Sequence, residues 1–182
     1  MFDDKRSKRV ILVAHCLLNQ NAKLDRCAHY PGVILEAAGE IVKSGAGILQ
    51  MPCPELLCLG LDRETDKKAK SSIAAEDTRI AARMEEPRNR ATCRRLVADL
   101  VYQVLEYQKS GFGVLGVVGI NGSPTCAVER TWAEDGERDG PGVFIGILNR
   151  ELGKESIFLP MRGIRPAEPK KAVAAVRELL RR

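Results

Sequence analysis

The sequence predicts an α/β protein, a Rossmann-like three-layer domain built around a parallel sheet of at least four strands. Its apolar runs are continuous rather than alternating, which is typical of strands in a parallel sheet that is covered on both faces. Stretches with helical periodicity separate these runs along the chain. The resulting succession of strands and helices indicates right-handed β–α–β crossovers.

Four apolar runs are the predicted strands, and four periodic stretches are the main predicted helices. The strands span residues 10–14, 46–50, 113–120 and 156–159. The helices span residues 31–44, 89–109, 143–152 and 169–180. The first of these helices opens on a proline and is followed by a glycine, in agreement with the preferences of helix ends.

The chain is long enough for one domain of ordinary size, and we interpret residues 1–182 as a single domain. Residues 60–87 carry many charges and little apolar periodicity, which predicts a lid or insertion with a short helix near 76–84. Residues 160–182 hold seven Lys or Arg and two Glu. This last region is therefore predicted to end the chain with a basic helix.

Charge and apolar content disfavour two classes of partner. The net charge is +5, from 29 basic and 24 acidic residues, and the region 160–182 alone accounts for that excess. Because this excess lies in one region and aromatic residues make up only 4% of the chain, we do not expect nucleic acid to be the main partner. No apolar run approaches the ~20 residues that cross a bilayer, and the first run is too short for a signal-peptide core. We therefore expect no membrane and a reducing, cytoplasmic location.

Three of the six cysteines follow predicted strands closely. Cys16 comes two residues after the first strand, Cys53 three residues after the second, and Cys126 follows the third after a tight turn. In an open parallel sheet, ligands bind in the crevice beyond the carboxyl ends of the strands. The three thiols are therefore predicted to share one site, even though no Cys-x-x-Cys pair is present.

Three thiols without an obvious fourth ligand leave several chemistries open. One is Zn²⁺ bound by three sulfurs and a water molecule, the second is a 4Fe–4S cluster with one open iron, and the third is a nucleophilic thiol. Cys27 is close enough in sequence to reach the site, whereas Cys58 and Cys93 are predicted to pack in the interior. His15 and His29 are possible ligands, although lone histidines are more often structural.

Five sequence patterns match a known family when they are taken together. They are Ala-His-Cys-Leu-Leu-Asn at Ala14–Asn19, Pro-Cys-Pro-Glu at Pro52–Glu55 with Leu-Gly-Leu at 59–61, and Gly-Ser-Pro-Thr-Cys at Gly122–Cys126 with Val-Glu-Arg-Thr-Trp at 128–132. In this combination the chain resembles the thiouracil desulfidase-like family of small bacterial and archaeal domains. The resemblance covers about residues 10–132.

The resemblance implies an enzyme that removes sulfur from a thiocarbonyl compound, such as a thiolated base or nucleoside. By position, Cys16, Cys53 and Cys126 would hold a 4Fe–4S cluster whose open iron binds the substrate sulfur. Glu55 and Ser123 would be catalytic and would handle protons and water. We expect such an exposed cluster to be lost from protein handled in air.

Two asparagines near the predicted ligands complete the candidate site. Asn19 follows Cys16 by one helical turn, and Asn121 opens the turn that leads to Cys126, so we assign both to substrate binding. The family's better-studied members carry a glycine at the position of Asn19 and Ser-Cys-Gly in place of Thr125–Ala127, which predicts a divergent branch. A non-catalytic iron–sulfur or sulfide-binding module, and a zinc or thiol enzyme on the same scaffold, are the alternatives.

Overall fold

The computed structural model of the protein describes residues 2–66, 71–134 and 136–181. Within these ranges a four-stranded parallel sheet has the order β2-β1-β3-β6. Its strands are β1 (Arg9–Ala14), β2 (Gly47–Met51), β3 (Gly113–Ile120) and β6 (Met161–Ile164). A separate antiparallel hairpin consists of β4 (Arg130–Ala133) and β5 (Gly136–Asp139). The predicted α/β fold class is confirmed.

Helices cover both faces of the sheet. They are α1 (His15–Leu18), α2 (Leu35–Lys43), α3 (Pro54–Leu59), α4 (Ile73–Glu85), α5 (Pro87–Lys109), α6 (Val143–Lys154) and α7 (Pro169–Leu180). Helix α2 packs on α7 in one outer layer, and α5 packs on α6 in the other. The side chains of β1 and β3 are almost wholly buried between these layers, which explains their continuous apolar sequences. Within the described residues, none of the helices has the length and apolarity that crossing a membrane requires.

The strand predicted at 156–159 is wrong, because the fourth strand is formed by Met161–Ile164. Ser156 has a left-handed backbone with φ of 59°, and the Phe158 side chain is 84% exposed. Strand β6 lies at the edge of the sheet and is only partly buried. An edge strand of this kind does not need a continuous apolar run, so the apolar residues before it were misleading.

The other predicted elements are found, with shifts at some ends. Helix α2 begins at Leu35 rather than at residue 31, whereas α7 has the predicted bounds. The short helix predicted near 76–84 is part of α4. Residues 67–70 of the predicted lid lie outside the described residues. The sequence patterns did not reveal α1, α3 or the hairpin, which are short and only partly buried.

The strand order determines where a binding crevice lies on the sheet. From β1 the chain crosses outward to β2, and from β3 it crosses in the opposite direction to β6. The order therefore reverses between β1 and β3, and such a reversal opens a crevice beyond the carboxyl ends of the two strands. Cys16 follows one of these strands, and Cys126 follows the other.

Candidate functional site

A cavity of about 380 Å³ lies beyond the carboxyl ends of all four strands of the parallel sheet. The segments that follow each strand contribute to its walls, through Cys16, Cys53, the stretch 120–126 and the stretch 165–167. The structure therefore brings together the three cysteines that the sequence placed at strand ends. Glu55 and Ser123, the two predicted catalytic residues, line the same cavity.

The first cysteine is held by a turn of helix immediately after β1. The buried Gln20 side chain donates from Nε2 to the carbonyl oxygen of Cys16 (2.5 Å) and accepts from the backbone N–H of His29 (3.1 Å). This amide thus joins the Cys16 turn to the loop that carries Cys27 and His29, both of which line the cavity.

The third cysteine lies in a turn that is tied down on several sides. Ser123 Oγ accepts from the backbone N–H groups of Thr125 and Cys126, at 3.1 and 3.0 Å. The first N–H groups of α6 donate to the carbonyls of Pro124 and Thr125. Gly142 permits this contact, because a Cβ there would lie 2.5 Å from the Thr125 carbonyl. Cys126 is buried as a result.

Burial raises the pKa of all three thiols. The pKa of Cys53 rises to about 12, and that of Cys126 is raised well above its ordinary value. Charge repulsion adds to burial, since Cys16 and Cys53 each raise the pKa of Cys126 further. The three sulfurs are therefore close enough to interact electrostatically, and in the chain alone they are protonated. A bound metal centre would have to displace their protons.

A fully buried arginine connects the second cysteine to Glu55. Arg63 Nε donates to Glu55 Oε2 (3.3 Å), and Arg63 Nη2 donates to Cys53 Sγ (3.7 Å) and to the carbonyl oxygen of Ala22 (2.5 Å). Its Nη1 donates to the carbonyls of Gly60 and Leu61. All five N–H groups of the guanidinium are thus used, although the side chain is only 1% exposed.

Glu55 is held from its other side by the turn of the third cysteine. Its Oε1 accepts from Thr125 Oγ1 at 2.6 Å and from Ser123 Oγ at 3.4 Å. The carboxylate therefore links the segment after β2 to the segment after β3. The Thr125 hydroxyl also approaches Cys126 Sγ at 3.6 Å, so Glu55 lies one hydroxyl group away from a cysteine sulfur.

Three residues of this cavity were missed by the sequence analysis: Arg63, Thr125 and Asp77. Arg63 and Asp77 belong to the charged stretch interpreted as a lid, where a buried charge looks the same as a solvated one. Thr125 was noted only as a departure from the family. The contacts that reveal them join residues far apart in sequence, and no local pattern indicates such contacts.

The two predicted substrate-binding asparagines have structural partners. Asn19 lies outside the described lining of the cavity, and its Oδ1 accepts from the backbone N–H of Asn21 (3.1 Å) at the start of a 3-10 turn. Asn121 does line the cavity, but its Nδ2 donates to Glu129 Oε2 (2.9 Å) and its Oδ1 accepts from three successive backbone N–H groups, those of Val128, Glu129 and Arg130. Substrate contact by either residue stays a prediction.

The remaining cysteines separate into two groups. Cys27 lines the cavity. Cys93 is fully buried in the core and Cys58 packs against it, which confirms the prediction that both pack in the interior. Among the described residues all six cysteines are free thiols.

The donor set suits a soft metal centre in its chemistry. Three thiols are ligands that iron–sulfur clusters and zinc prefer. In addition, His15 Nδ1 faces the Gln50 amide nitrogen, while its Nε2 is buried beside Cys16 without a hydrogen-bond partner. Across residues 2–66, 71–134 and 136–181, no group of three His, Cys, Asp or Glu side chains is arranged to hold a metal ion.

Comparison with known proteins identifies an archaeal relative. The uncharacterized protein MJ0003 of Methanocaldococcus jannaschii is 31% identical over 123 residues, which cover 68% of this chain and 70% of that protein. The chain therefore belongs to the same family as this relative. No protein-family model matches the chain, and no solved structure matches it.

Removing the buried guanidinium is expected to destabilise the fold strongly. Arg63→Met leaves Glu55 without its cationic partner and three carbonyl groups without their donor, and breaking a buried ion pair in this way typically costs about 3–5 kcal/mol. Lys154→Met, which removes an exposed partner of Glu151, is the matched control and should change stability by less than about 0.5 kcal/mol. Urea unfolding measures both. Equal stabilities of the two variants would contradict the structural role assigned to Arg63.

Proposed function

We propose that the protein is an iron–sulfur-dependent desulfidase, which replaces the sulfur of a thiocarbonyl compound with oxygen. The observation that carries this proposal is the meeting of three cysteines from three strand ends in one cavity with a carboxylate, Glu55. The sequence patterns that resemble the thiouracil desulfidase-like family contain the same three cysteines and the same carboxylate. A thiolated base or nucleoside is the substrate class that this resemblance favours.

Cys16, Cys53 and Cys126 are the residues that would hold a 4Fe–4S cluster. Such a cluster takes thiolate ligands, and the three thiols that line the cavity from three separate loops would supply them. When bound, the cluster supplies an open iron that accepts the soft thiocarbonyl sulfur and draws electron density from the adjacent carbon. A zinc ion, by contrast, needs all of its sulfur ligands at about 2.3 Å from a single point.

The chain's own groups supply the water chemistry. Glu55 is the general base, and takes a proton from the water that attacks the thiocarbonyl carbon. Thr125 and Ser123 hold one of its oxygens, and Arg63 holds the other. These contacts fix the direction of the carboxylate, and the Arg63 contact to Cys53 Sγ keeps it near the cluster ligands. Ser123 thus acts by positioning both Glu55 and the Cys126 turn.

Iron binding tests the ligand assignment directly. After anaerobic reconstitution the wild-type chain should bind iron and sulfide and show the broad visible absorbance of an iron–sulfur cluster. Cys16→Ser, Cys53→Ser and Cys126→Ser should each abolish the iron binding and the visible absorbance, because each thiolate is a ligand. Cys58→Ser is the matched control, since this thiol packs beside Cys93 away from the cavity, and it should load normally.

Two outcomes of that experiment would overturn the cluster. One is a colourless protein that contains a single zinc ion, which would favour the zinc or thiol enzyme. The other is iron binding that survives replacement of all three cysteines. A cluster-loaded protein that binds sulfide but converts no thiolated base, nucleoside or thioamide would instead favour the sulfide-binding module.

Glu55→Gln separates chemistry from cluster binding. The amide keeps the size of the side chain but removes its ability to take a proton, and general base catalysis is typically worth ~10²–10⁴ in rate. We therefore expect kcat to fall by that factor while iron content stays at the wild-type level. Glu151→Gln, a change on α6 outside the lining of the cavity, serves as the control. Full turnover in Glu55→Gln would mean that another group is the base, and loss of iron would mean that Glu55 is needed for assembly.

A further inference from the structure

Besides Glu55, two further carboxyl groups line the cavity, those of Asp77 and Glu137. Asp77 lies on α4, in the segment that includes the cavity-lining residues Ile73 and Ile80. Glu55 belongs to α3, so the carboxyl groups of Asp77 and Glu55 reach the same cavity from separate helices. Within the part of the chain that the structure describes, the Asp77 carboxyl makes no hydrogen bond and no ion pair, whereas Glu55 has partners on both oxygens.

The neighbours of Asp77 hold α4 in place without using its carboxyl group. Thr78 Oγ1 accepts a hydrogen bond from the indole N–H of Trp132 at 3.0 Å, which joins α4 to the hairpin beside the third cysteine. On the other side Arg79 donates to Glu76 Oε2 (2.7 Å) and to the carbonyl oxygen of Arg63 (2.8 Å). The contacts of Glu76 and Thr78 therefore fix the position of residue 77 on either side. They do not involve the Asp77 carboxyl group, which lines the cavity.

The environment of Asp77 favours its protonated form. Burial raises its pKa to about 6, and the negative charge of Glu55 is the second cause. The charged or titratable groups that act on Asp77, or share its cavity, are Cys16, Lys23, Arg26, Cys27, His29, Cys53, Glu55, Arg63, Glu76, Cys126, Glu137 and Arg165. Lys23 opposes the rise, but Glu76 and Glu137 add to it, and Arg165 is paired with Glu137.

We infer that Asp77 is the general acid of the reaction and acts opposite Glu55 on the substrate ring. This inference rests on the proposed function and concerns a heterocycle whose thiocarbonyl carbon is bonded to a ring nitrogen. Three carboxyl groups line the cavity: Glu55 is held in a network of donors and Glu137 is paired with Arg165, whereas Asp77 is partly buried and, among the described residues, unpaired. A paired and an unpaired carboxyl group in one cavity are the arrangement that divides base from acid. Trp132 also lines the cavity, with its indole N–H bound to Thr78, the residue after Asp77, and its aromatic ring suits a planar substrate.

The proton balance of the step closes without an oxidant or reductant. The substrate enters in its ionised thiolate form, in which a C=N bond joins the carbon that bears the sulfur to the ring nitrogen. The oxygen of water bonds to the carbon as Glu55 takes one proton, and the C=N electron pair moves to the nitrogen, which takes a proton from Asp77. The C–S bond then breaks, the electron pair leaves with the sulfur, and the hydroxyl oxygen forms the new carbonyl. The hydroxyl proton returns to Asp77, the Glu55 proton leaves as part of hydrosulfide, and the product is the lactam.

Asp77→Asn is the test, with 2-thiouracil as the probe and kcat/KM measured across pH in the cluster-loaded enzyme. A general acid acts only while it is protonated, so wild-type kcat/KM should fall as the pH rises through about 6. Asp77→Asn should lower kcat/KM by ~10²–10⁴ below that pH and remove the fall. Glu85→Gln is the matched control, because Glu85 is an exposed carboxylate on the same helix. It should leave the profile unchanged.

A stability measurement on the chain without cluster tests the carboxyl group independently of turnover. A carboxyl whose folded pKa is raised binds more protons in the folded than in the unfolded state between pH ~4 and its folded pKa. The contribution of Asp77 to wild-type stability should therefore decline as pH rises through that window. The urea midpoint of Asp77→Asn should rise relative to wild type over the same window, and that of Glu85→Gln should not.

The outcomes separate the two proposals. Full kcat/KM in Asp77→Asn, or a pH profile that keeps its alkaline limb, overturns the role of Asp77 while the desulfidase stands. A midpoint difference that does not change with pH overturns the protonated carboxyl on which the role depends. A cluster-loaded wild-type enzyme that converts no thiocarbonyl compound overturns the proposed function, and the role of Asp77 with it.

Discussion

The rest of the site depends on the contacts of the Arg63 guanidinium group. This group is almost completely buried and donates to Glu55, to Cys53 Sγ and to the carbonyls of Ala22, Gly60 and Leu61. A buried charge without partners is prohibitively costly, so a structure that buries Arg63 must bring these groups together. The chain accepts a left-handed backbone at Arg63, with φ of 55°, to do so, and such a conformation typically costs ~1–2 kcal/mol. The segments after β1 and β2 are joined in this way, and Glu55 extends the link to the segment after β3.

The contacts of Arg63 and Glu55 explain how a parallel sheet positions the three thiols and the carboxyl groups of the cavity. The reversal of strand order between β1 and β3 opens the crevice, and Arg63 with Glu55 determines how the loops around it are arranged. The three thiols, which repel one another as thiolates, are kept in one cavity by side-chain contacts of Arg63 and Glu55 that join their loops. The carboxyl groups of the cavity differ because Glu55 belongs to this linkage and Glu137 is paired with Arg165, whereas Asp77 has no such partner among the described residues. The same contacts that stabilise the fold thus determine which carboxyl group is unpaired.

Much of this arrangement could be predicted from the sequence, and the failures have common causes. Strands β1 and β3 were recognisable because both of their faces are covered, and the edge strand β2 was found from its apolar run although it is mostly exposed. The topology rule then placed Cys16, Cys53 and Cys126 in one crevice. The edge strand β6 was misplaced because it lacks that apolar signature. Arg63 and Asp77 were taken for part of a solvated charged stretch, since their importance arises from contacts with distant segments. Asn121 looked available for substrate, yet the backbone of its own loop occupies its side chain.

The central claim is that three thiolates hold a cluster in which one iron is free to bind the substrate sulfur. Mössbauer spectroscopy of the ⁵⁷Fe-reconstituted protein, recorded with and without 2-thiouracil, tests it most directly. A cluster with three protein ligands has one iron that differs from the other three. We expect the thiocarbonyl compound to shift the Mössbauer signal of this iron alone. Four iron signals that do not respond to the compound, or a protein that takes up no iron, would contradict it.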